Sequence, residues 1–282
     1  MVLESLLSPR SAERRPWESL LLGFVYSSFG LFLALWVFEQ YASMVMIFLT
    51  AMAAVPLFYA TVWYEEQKDA SLHKESELLW SHGRALSFLL FLFLGASIAY
   101  ALWYVVLPAP VTSAVFSAQT DTIVTLNQRV TGSATQMSVL SKVFLNNVKV
   151  MIFCILFSFI YGIGSIFILM WNASVIGAAV GNFFRVKLAA LASAFGLLSV
   201  SSYLYVLSLS ILRYALHGIP EILAYIVAGL AGGILSTAIV RHEYGTREFE
   251  RIVLDASDLI LIALALLIVA AGIEVYITPM FF

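Results

Sequence analysis

Five polar side chains lie inside otherwise apolar segments of this chain, and these are the residues that could do chemistry. They are an amide pair, a histidine with an acid four residues later, and an acid near the carboxyl end: Asn146, Asn147, His217, Glu221 and Glu274. Such groups bind ions and relay protons, and an ionisable side chain at the centre of a bilayer costs about 3 kcal/mol or more. We interpret the five as a site for substrate or ion contact, a contact for a partner, or a set of structural hydrogen bonds and helix caps.

A structural role is well founded for Glu221. Pro220 fits the first position of a helix, where its missing N–H is not needed, and an acid in the first turn complements the helix dipole. Glu274 is harder to explain in this way, because it lies well inside the last apolar segment.

Catalytic sequence patterns are missing around these residues. The acidic segment at 65–70 lacks the arginine of a membrane prenyl peptidase, the segment at 162–165 differs from the GxSG of a rhomboid protease, and the segment at 242–246 has no second histidine of a zinc helix. Cys154 is the only cysteine, which excludes an internal disulfide and a two-thiolate metal site. We expect a protein that is not an enzyme and has no cofactor and no metal.

The composition determines which elements position these residues. Hydrophobic residues make up 62% of the 282 residues and charged residues 11%, whereas the usual apolar share is roughly one half. The charges cluster in short connectors, and the chain has no basic stripe or zinc-finger spacing that would favour nucleic acid. The composition predicts an all-α, polytopic membrane helical bundle with the lipid bilayer as its surroundings.

Hydropathy predicts about seven transmembrane helices, since each apolar run reaches the roughly 20 residues that a bilayer core requires. The predicted spans are 19–38, 41–64, 85–107, 148–171, 188–212, 221–240 and 259–277. The stretch from Val150 to Phe184 carries no charge over 35 residues, which would form a helix of about 50 Å, too long for one span. We therefore predict a helix break at Asn172, with 172–184 interfacial or re-entrant.

The placement of lysine and arginine predicts a cytoplasmic N-terminus and an extracytoplasmic C-terminus in a multi-pass protein of the plasma membrane. On this topology eleven of these residues fall inside and four outside, as the positive-inside rule requires. The inner group is Arg10, Arg14, Arg15, Lys68, Lys74, Arg84, Arg185, Lys187, Arg241, Arg247 and Arg251. The outer group is Arg129, Lys142, Lys149 and Arg213. The five polar residues named first also fall toward the outer side.

The longest polar connector, residues 108–141, also lies outside on this topology. Its composition, rich in Thr, Ser and Gln, fits a partly ordered loop or a docking surface for a partner. We predict two domains: an N-terminal transmembrane hairpin at 1–84 with cytoplasmic ends, and a five-span core at 85–282 that contains this connector.

Two GxxxG pairs predict close helix packing: Gly177 with Gly181, and Gly229 with Gly233. Small residues let helix backbones approach each other where lipid supplies little hydrophobic drive. The pairs serve packing inside one bundle or a specific oligomer face, and Gly162 with Gly164 is interpreted in the same way. We predict a homodimer, with the helix of Gly229 and Gly233 as the first candidate face.

Several short motifs, in their order and spacing, resemble the stage II sporulation protein M family. The resemblance covers about residues 85–282, and one departure is Asn172 followed by Ala173, where the family usually has Asn-Gly. The matching segments are 144–147, 162–164, Asn172 with 176–177, 217–221, 271–274 and 278–279.

The resemblance implies a function as well as a fold. The founding member of the family is a membrane scaffold that gathers cell-wall hydrolases during engulfment, so we expect a non-catalytic scaffold that recruits envelope proteins. The alternative is a transporter or channel whose outward-facing vestibule is lined by Asn146, Asn147, His217, Glu221 and Glu274. A water-filled cavity that reaches Glu274 would favour transport, and a closed bundle would favour the scaffold.

The orientation can be tested with single cysteines in a background that lacks Cys154. On intact cells, an impermeant thiol reagent should label a cysteine at Ser113 and leave one at Ser71 protected, because the two positions fall on opposite sides of the predicted membrane. The reverse pattern would invert the topology.

Overall fold

The computed structural model describes residues 15–71, 75–131, 135–158, 164–196, 199–240 and 244–281, and these ranges are helical apart from short connections. Seven segments within them are long and apolar enough to cross a membrane. The prediction of an all-α polytopic bundle is therefore confirmed. The α-helices are α1 (Glu18–Val37), α2 (Ala42–Ser71), α3 (Glu75–Val106), α4 (Ala109–Val115), α5 (Ser117–Thr131), α6 (Gln136–Ser158), α7 (Gly164–Phe195), α8 (Val200–Val240) and α9 (Arg247–Gly272).

Helix α3 is packed closely on two sides by glycine-bearing helices. A Cβ atom on Gly23 of α1 would collide with the backbone carbonyl of Leu92, and one on Gly95 of α3 would collide with the backbone of Leu20. The two backbones therefore touch, as small residues allow in membrane helices. One turn further along, Trp103 Nε1 donates a hydrogen bond of 2.9 Å to Ser28 Oγ.

The GxxxG pair of Gly177 and Gly181 packs α7 against α3. A Cβ atom on Gly177 would lie 2.6 Å from Cβ of Tyr100, and one on Gly181 would lie 2.7 Å from Cβ of Tyr104. The Tyr100 side chain is fully buried, and its hydroxyl lies 2.9 Å from Thr50 Oγ1 of α2. Tyr100 thus connects three helices at the centre of the bundle.

The glycines of α8 also pack inside the chain. A Cβ atom on Gly229 would lie 3.0 Å from Cβ of Ser165, and one on Gly233 would lie 2.8 Å from Cγ1 of Val62. Both glycines are buried. The predicted dimer face at Gly229 and Gly233 is therefore wrong, because this face is already covered by α2 and α7. Gly162 lies outside the described residues.

Four of the predicted spans have the wrong bounds. The fourth, fifth, sixth and seventh spans are Gln136–Ser158, Gly164–Ala194, Val200–Val240 and Phe249–Met280. The predicted break at Asn172 is also wrong, because α7 continues through this residue and its Nδ2 donates a 2.8 Å hydrogen bond to the carbonyl of Ile168 in the same helix. Residues 172–184 are therefore part of a spanning helix and neither re-entrant nor interfacial.

The segment from His217 to Pro220, which falls between the predicted spans 188–212 and 221–240, lies inside α8. Proline removes one backbone hydrogen bond from a helix. In a membrane protein the freed carbonyl can be satisfied by neighbouring helices, so proline does not have to end the helix.

The connector at 108–141 is not a partly ordered loop over its described residues, because it forms α4, α5 and the start of α6. Phe116 is buried and packs against the ring of Tyr104 with centroids 5.1 Å apart. Gln119 is fully buried, and its Nε2 donates to the carbonyl of Ser43 at 3.1 Å and to Ser174 Oγ at 3.2 Å. The connector therefore folds back into the bundle.

The observed bounds of α7 move two positive charges to the opposite side of the membrane from the one predicted. Arg185 of α7 donates to the carbonyls of Val105, at 2.9 Å, and of Leu107, at the end of α3. Arg185 and Lys187 therefore lie on the same side of the membrane as the α3–α4 connection. The count of lysine and arginine residues on the inner and outer sides changes from eleven against four to nine against six. The orientation of the termini stays a prediction.

Replacing Gly23 by alanine should weaken the bundle strongly. The added Cβ would force α1 away from the carbonyl of Leu92, and overpacking of this kind costs about 1–3 kcal/mol. Gly83→Ala is the matched control, since nothing lies within 4 Å of a Cβ at that helical position. Thermal unfolding in detergent should show a lower midpoint for Gly23→Ala alone, and equal midpoints for the two variants would contradict the contact.

Candidate functional site

Two irregular helix segments meet in the bundle, and each carries a glutamate. Pro220 interrupts the hydrogen bonding of α8 directly before Glu221. The end of α9 widens into a π-helix, Ile273–Ile277, which contains Glu274. π-Helical segments occur frequently at functional sites, because their wider turn moves a side chain away from its regular position. These two segments define the candidate site.

The site is held together by hydrogen bonds from neighbouring turns. The Tyr225 hydroxyl donates a 2.8 Å hydrogen bond to Glu221 Oε1, and the Tyr225 side chain is fully buried. His217 Nδ1 lies 3.4 Å from Thr278 Oγ1, whose hydroxyl donates to the carbonyl of Ile273 at 3.2 Å. Because a hydroxyl has one hydrogen, this arrangement makes Nδ1 of His217 the donor to Thr278.

The carboxyl groups of Glu221 and Glu274 lie close enough to interact electrostatically, and both residues are half-buried. A third charge comes from the preceding turn of α8, since Arg213 is within electrostatic range of His217. The Arg213 guanidinium lies 4.9 Å from the ring centroid of Phe183. The site therefore combines two carboxylates, an imidazole and a guanidinium, and the guanidinium is stacked on an aromatic ring.

Only one of the two predicted asparagines lies beside this site. Asn147 is 5% exposed, and its Nδ2 has no hydrogen-bond partner among the described residues. One turn earlier on α6, Val143 packs against Ala271 and Val275, which brings this face of α6 beside the π-helix. Asn146 lines a separate cavity between α5, α6 and α7. The structure thus places His217, Glu221 and Glu274 together, Asn147 on an adjoining helix face, and Asn146 elsewhere.

Tyr225 and Thr278 belong to the site but are not among the residues predicted from the sequence. His217, Glu221 and Tyr225 are spaced by four residues, the spacing that aligns side chains on one helix face. This signal is available in the sequence once 217–225 is interpreted as continuous helix. Thr278 has no comparable signal, because its position depends on the π-helix that precedes it.

Comparison with known protein families identifies the family of this chain. A family model described as Stage II sporulation protein M matches residues 86–279. The chain belongs to this family. The match includes the three clustered residues His217, Glu221 and Glu274 as well as Tyr225 and Thr278, so the site lies wholly within the part that is typical of stage II sporulation protein M. Comparison with curated proteins and with solved structures gives no match.

The geometry limits what the site can do chemically. Two neighbouring carboxylates in an apolar bundle are stable when they share a proton. The imidazole of His217 adds a further group that can exchange a proton. The arrangement is therefore suited to holding a proton and to fixing the end of α9 against α8. The described residues contain no cluster of ligands that could hold a metal ion.

The two acids should be energetically coupled. Removing either carboxylate with Glu221→Gln or Glu274→Gln relieves the same repulsion, so the double variant should differ from the sum of the singles by about 0.5 kcal/mol or more. Thermal unfolding in detergent provides the measurement. The control is the double variant that combines Asp258→Asn with Glu274→Gln. Exposed Asp258 lies about 24 Å along α9 from Glu274, so the effects of these two substitutions should be additive. Additivity of Glu221→Gln with Glu274→Gln would argue for two separate groups.

Proposed function

We propose that this stage II sporulation protein M family member is a non-catalytic membrane scaffold that recruits envelope proteins. The observation that carries the proposal is the connection between α7 and α8. Arg185 reaches the last carbonyls of α3, yet α7 continues for ten residues to Phe195, and α8 begins only at Val200. The two helices therefore extend about 15 Å past the end of α3. We call residues 186–205 the α7–α8 hairpin.

The α7–α8 hairpin carries an apolar surface. None of its described residues is buried, and Leu204 and Tyr205 are 59% and 62% exposed. Val186 and Val200 are also largely exposed. Apolar surface on helices that extend past their neighbour α3 is typical of a contact site for another protein. A hairpin of this kind is what a recruiting protein needs.

The family assignment supports the same role. Stage II sporulation protein M, as the resemblance implies, gathers cell-wall hydrolases at a membrane and does no chemistry itself. With the helix bounds of the structure, a cytoplasmic N-terminus would place the α7–α8 hairpin on the outer side, where envelope proteins are found. The polar site then has a positional role, because the hydrogen bond between His217 and Thr278 joins α8, at the base of the hairpin, to the end of α9.

The predicted homodimer is retained as part of this proposal with a different face. Gly229 and Gly233 are covered by Ser165 and Val62 of the same chain. A second copy would therefore have to pack on an exposed surface. We propose that it uses the lipid-facing side of α1, where Phe29 and Trp36 are 66% and 85% exposed.

A transporter or channel is the second candidate, favoured by the acid pair. Many transporters place a binding site where helices are interrupted, and Glu221 and Glu274 lie at two such points. Neither acid lines either of two large grooves that lie among the described residues. Proton or cation flux in liposomes that is lost in Glu274→Gln would favour this candidate.

The scaffold proposal predicts a specific contact of the α7–α8 hairpin. A photo-crosslinking residue in place of Leu204 should capture the same envelope protein in repeated purifications from cells in mild detergent. In a second experiment Leu204→Glu should reduce the amount of that protein several-fold, because a charge on this surface opposes apolar contact.

Ser113 provides the control, because it is exposed on α4, on the same side as the hairpin. A crosslinker there should not capture the protein, and Ser113→Glu should leave its recovery unchanged. Crosslinking of Leu204 to lipid alone would contradict a protein contact at the α7–α8 hairpin.

A further inference from the structure

A groove of about 570 Å³ lies between α5, α6 and α7, apart from the acid pair. Its volume is in the usual range for sites that bind small molecules. Because α6 and α7 both cross the membrane, this groove is accessible to molecules that are dissolved in the bilayer. We call it the α5–α7 groove.

The α5–α7 groove is apolar at one end and polar at the other. Along α6, Phe157 and Phe153 lie near the α6–α7 connection, and Asn146 lies about 16 Å further from it than Phe157. Along α7, which runs in the opposite direction, Phe167 lies near the same connection and Asn172 lies beyond it. Both helices therefore place aromatic rings toward one end and an amide toward the other, as an amphiphile requires.

The polar end offers hydrogen-bond acceptors that have no partner among the described residues. Asn172 uses its Nδ2 for the carbonyl of Ile168, which leaves its Oδ1 free to accept. Neither the side chain of Asn146 nor the carboxylate of Asp121 has a hydrogen-bond or ion-pair partner among the described residues. Among the described residues that line the groove, Asp121 is the only charged one. An anionic group is therefore disfavoured here.

We propose that the α5–α7 groove binds an amphiphile with an ammonium head. A primary ammonium group carries three N–H donors, which match the oxygens of Asp121, Asn146 and Asn172. Trp171 lines the same end, and tryptophan is the aromatic residue that cations prefer. The hydrocarbon tail lies along Phe153 and Phe157. A phosphatidylethanolamine and a free long-chain amine both have this chemistry.

Native mass spectrometry of the purified full chain tests the proposal with three lipids of equal chain length. Phosphatidylethanolamine should be retained at one molecule per chain with about 10-fold tighter apparent binding than phosphatidylcholine, whose methylated nitrogen has no N–H donor. Phosphatidylglycerol, which is anionic, should be retained least. Equal retention of the three lipids would overturn the proposal.

Asp121→Asn should remove the preference for phosphatidylethanolamine, because the amide keeps the shape and loses the charge. Asp258→Asn is the matched control, since it removes one exposed acid on α9 and should leave the preference unchanged. Both variants should keep the thermal midpoint of the parent protein. A preference that survives in Asp121→Asn would overturn the proposal.

Two competitors separate the possible sources of the ammonium group. Dodecylamine should displace phosphatidylethanolamine, whereas dodecanol, which has the same tail, should not. Tighter binding of dodecylamine than of the lipid would assign the groove to long-chain amines, and the reverse would assign it to phosphatidylethanolamine; both outcomes support ammonium recognition. Equal displacement by dodecanol would overturn it.

Discussion

The close approach of backbones along α3 is the constraint on which the rest of the structure depends. In lipid, apolar side chains gain little from leaving their surroundings, so helices associate through shape and hydrogen bonds. Gly23 and Gly95 bring α1 against one side of α3, and Gly177 brings α7 against another, where it meets Tyr100. This arrangement fixes α7, which in turn fixes the position of α8 and its polar residues.

Hydropathy alone was sufficient for the number of spans and for the bounds of the first three spans, because charged residues mark most of their ends. It failed between Val150 and Phe184, where no charge separates α6 from α7 and Asn172 offers a polar residue in the wrong place. The same method misinterpreted His217 to Pro220, since glycine and proline normally indicate a turn in water. In a membrane helix these residues are tolerated, because the neighbouring helices complete the hydrogen bonding.

The candidate site was partly accessible from sequence for a simple reason. His217, Glu221 and Glu274 were expected on one side of the membrane, and the structure brings them together even though the intervening spans have other bounds. Asn146 could not be separated from Asn147 by sequence, because adjacent helical residues point about 100° apart and the packing partners decide which one enters the core. The π-helix at Glu274 has no recognised sequence signal, so the contact of Thr278 with His217 depends on the three-dimensional structure.

The length of α8 has a mechanical consequence. Its 41 residues form a rod of about 60 Å, twice the thickness of a bilayer core. Pro220 lies at the midpoint of the rod, where a missing hydrogen bond makes bending easiest, and each arm is about 30 Å long. A sideways force on the α7–α8 hairpin can therefore tilt the near arm about Pro220, inside the membrane. The far arm, which ends at Val240 and is largely buried among the other helices, would keep its position.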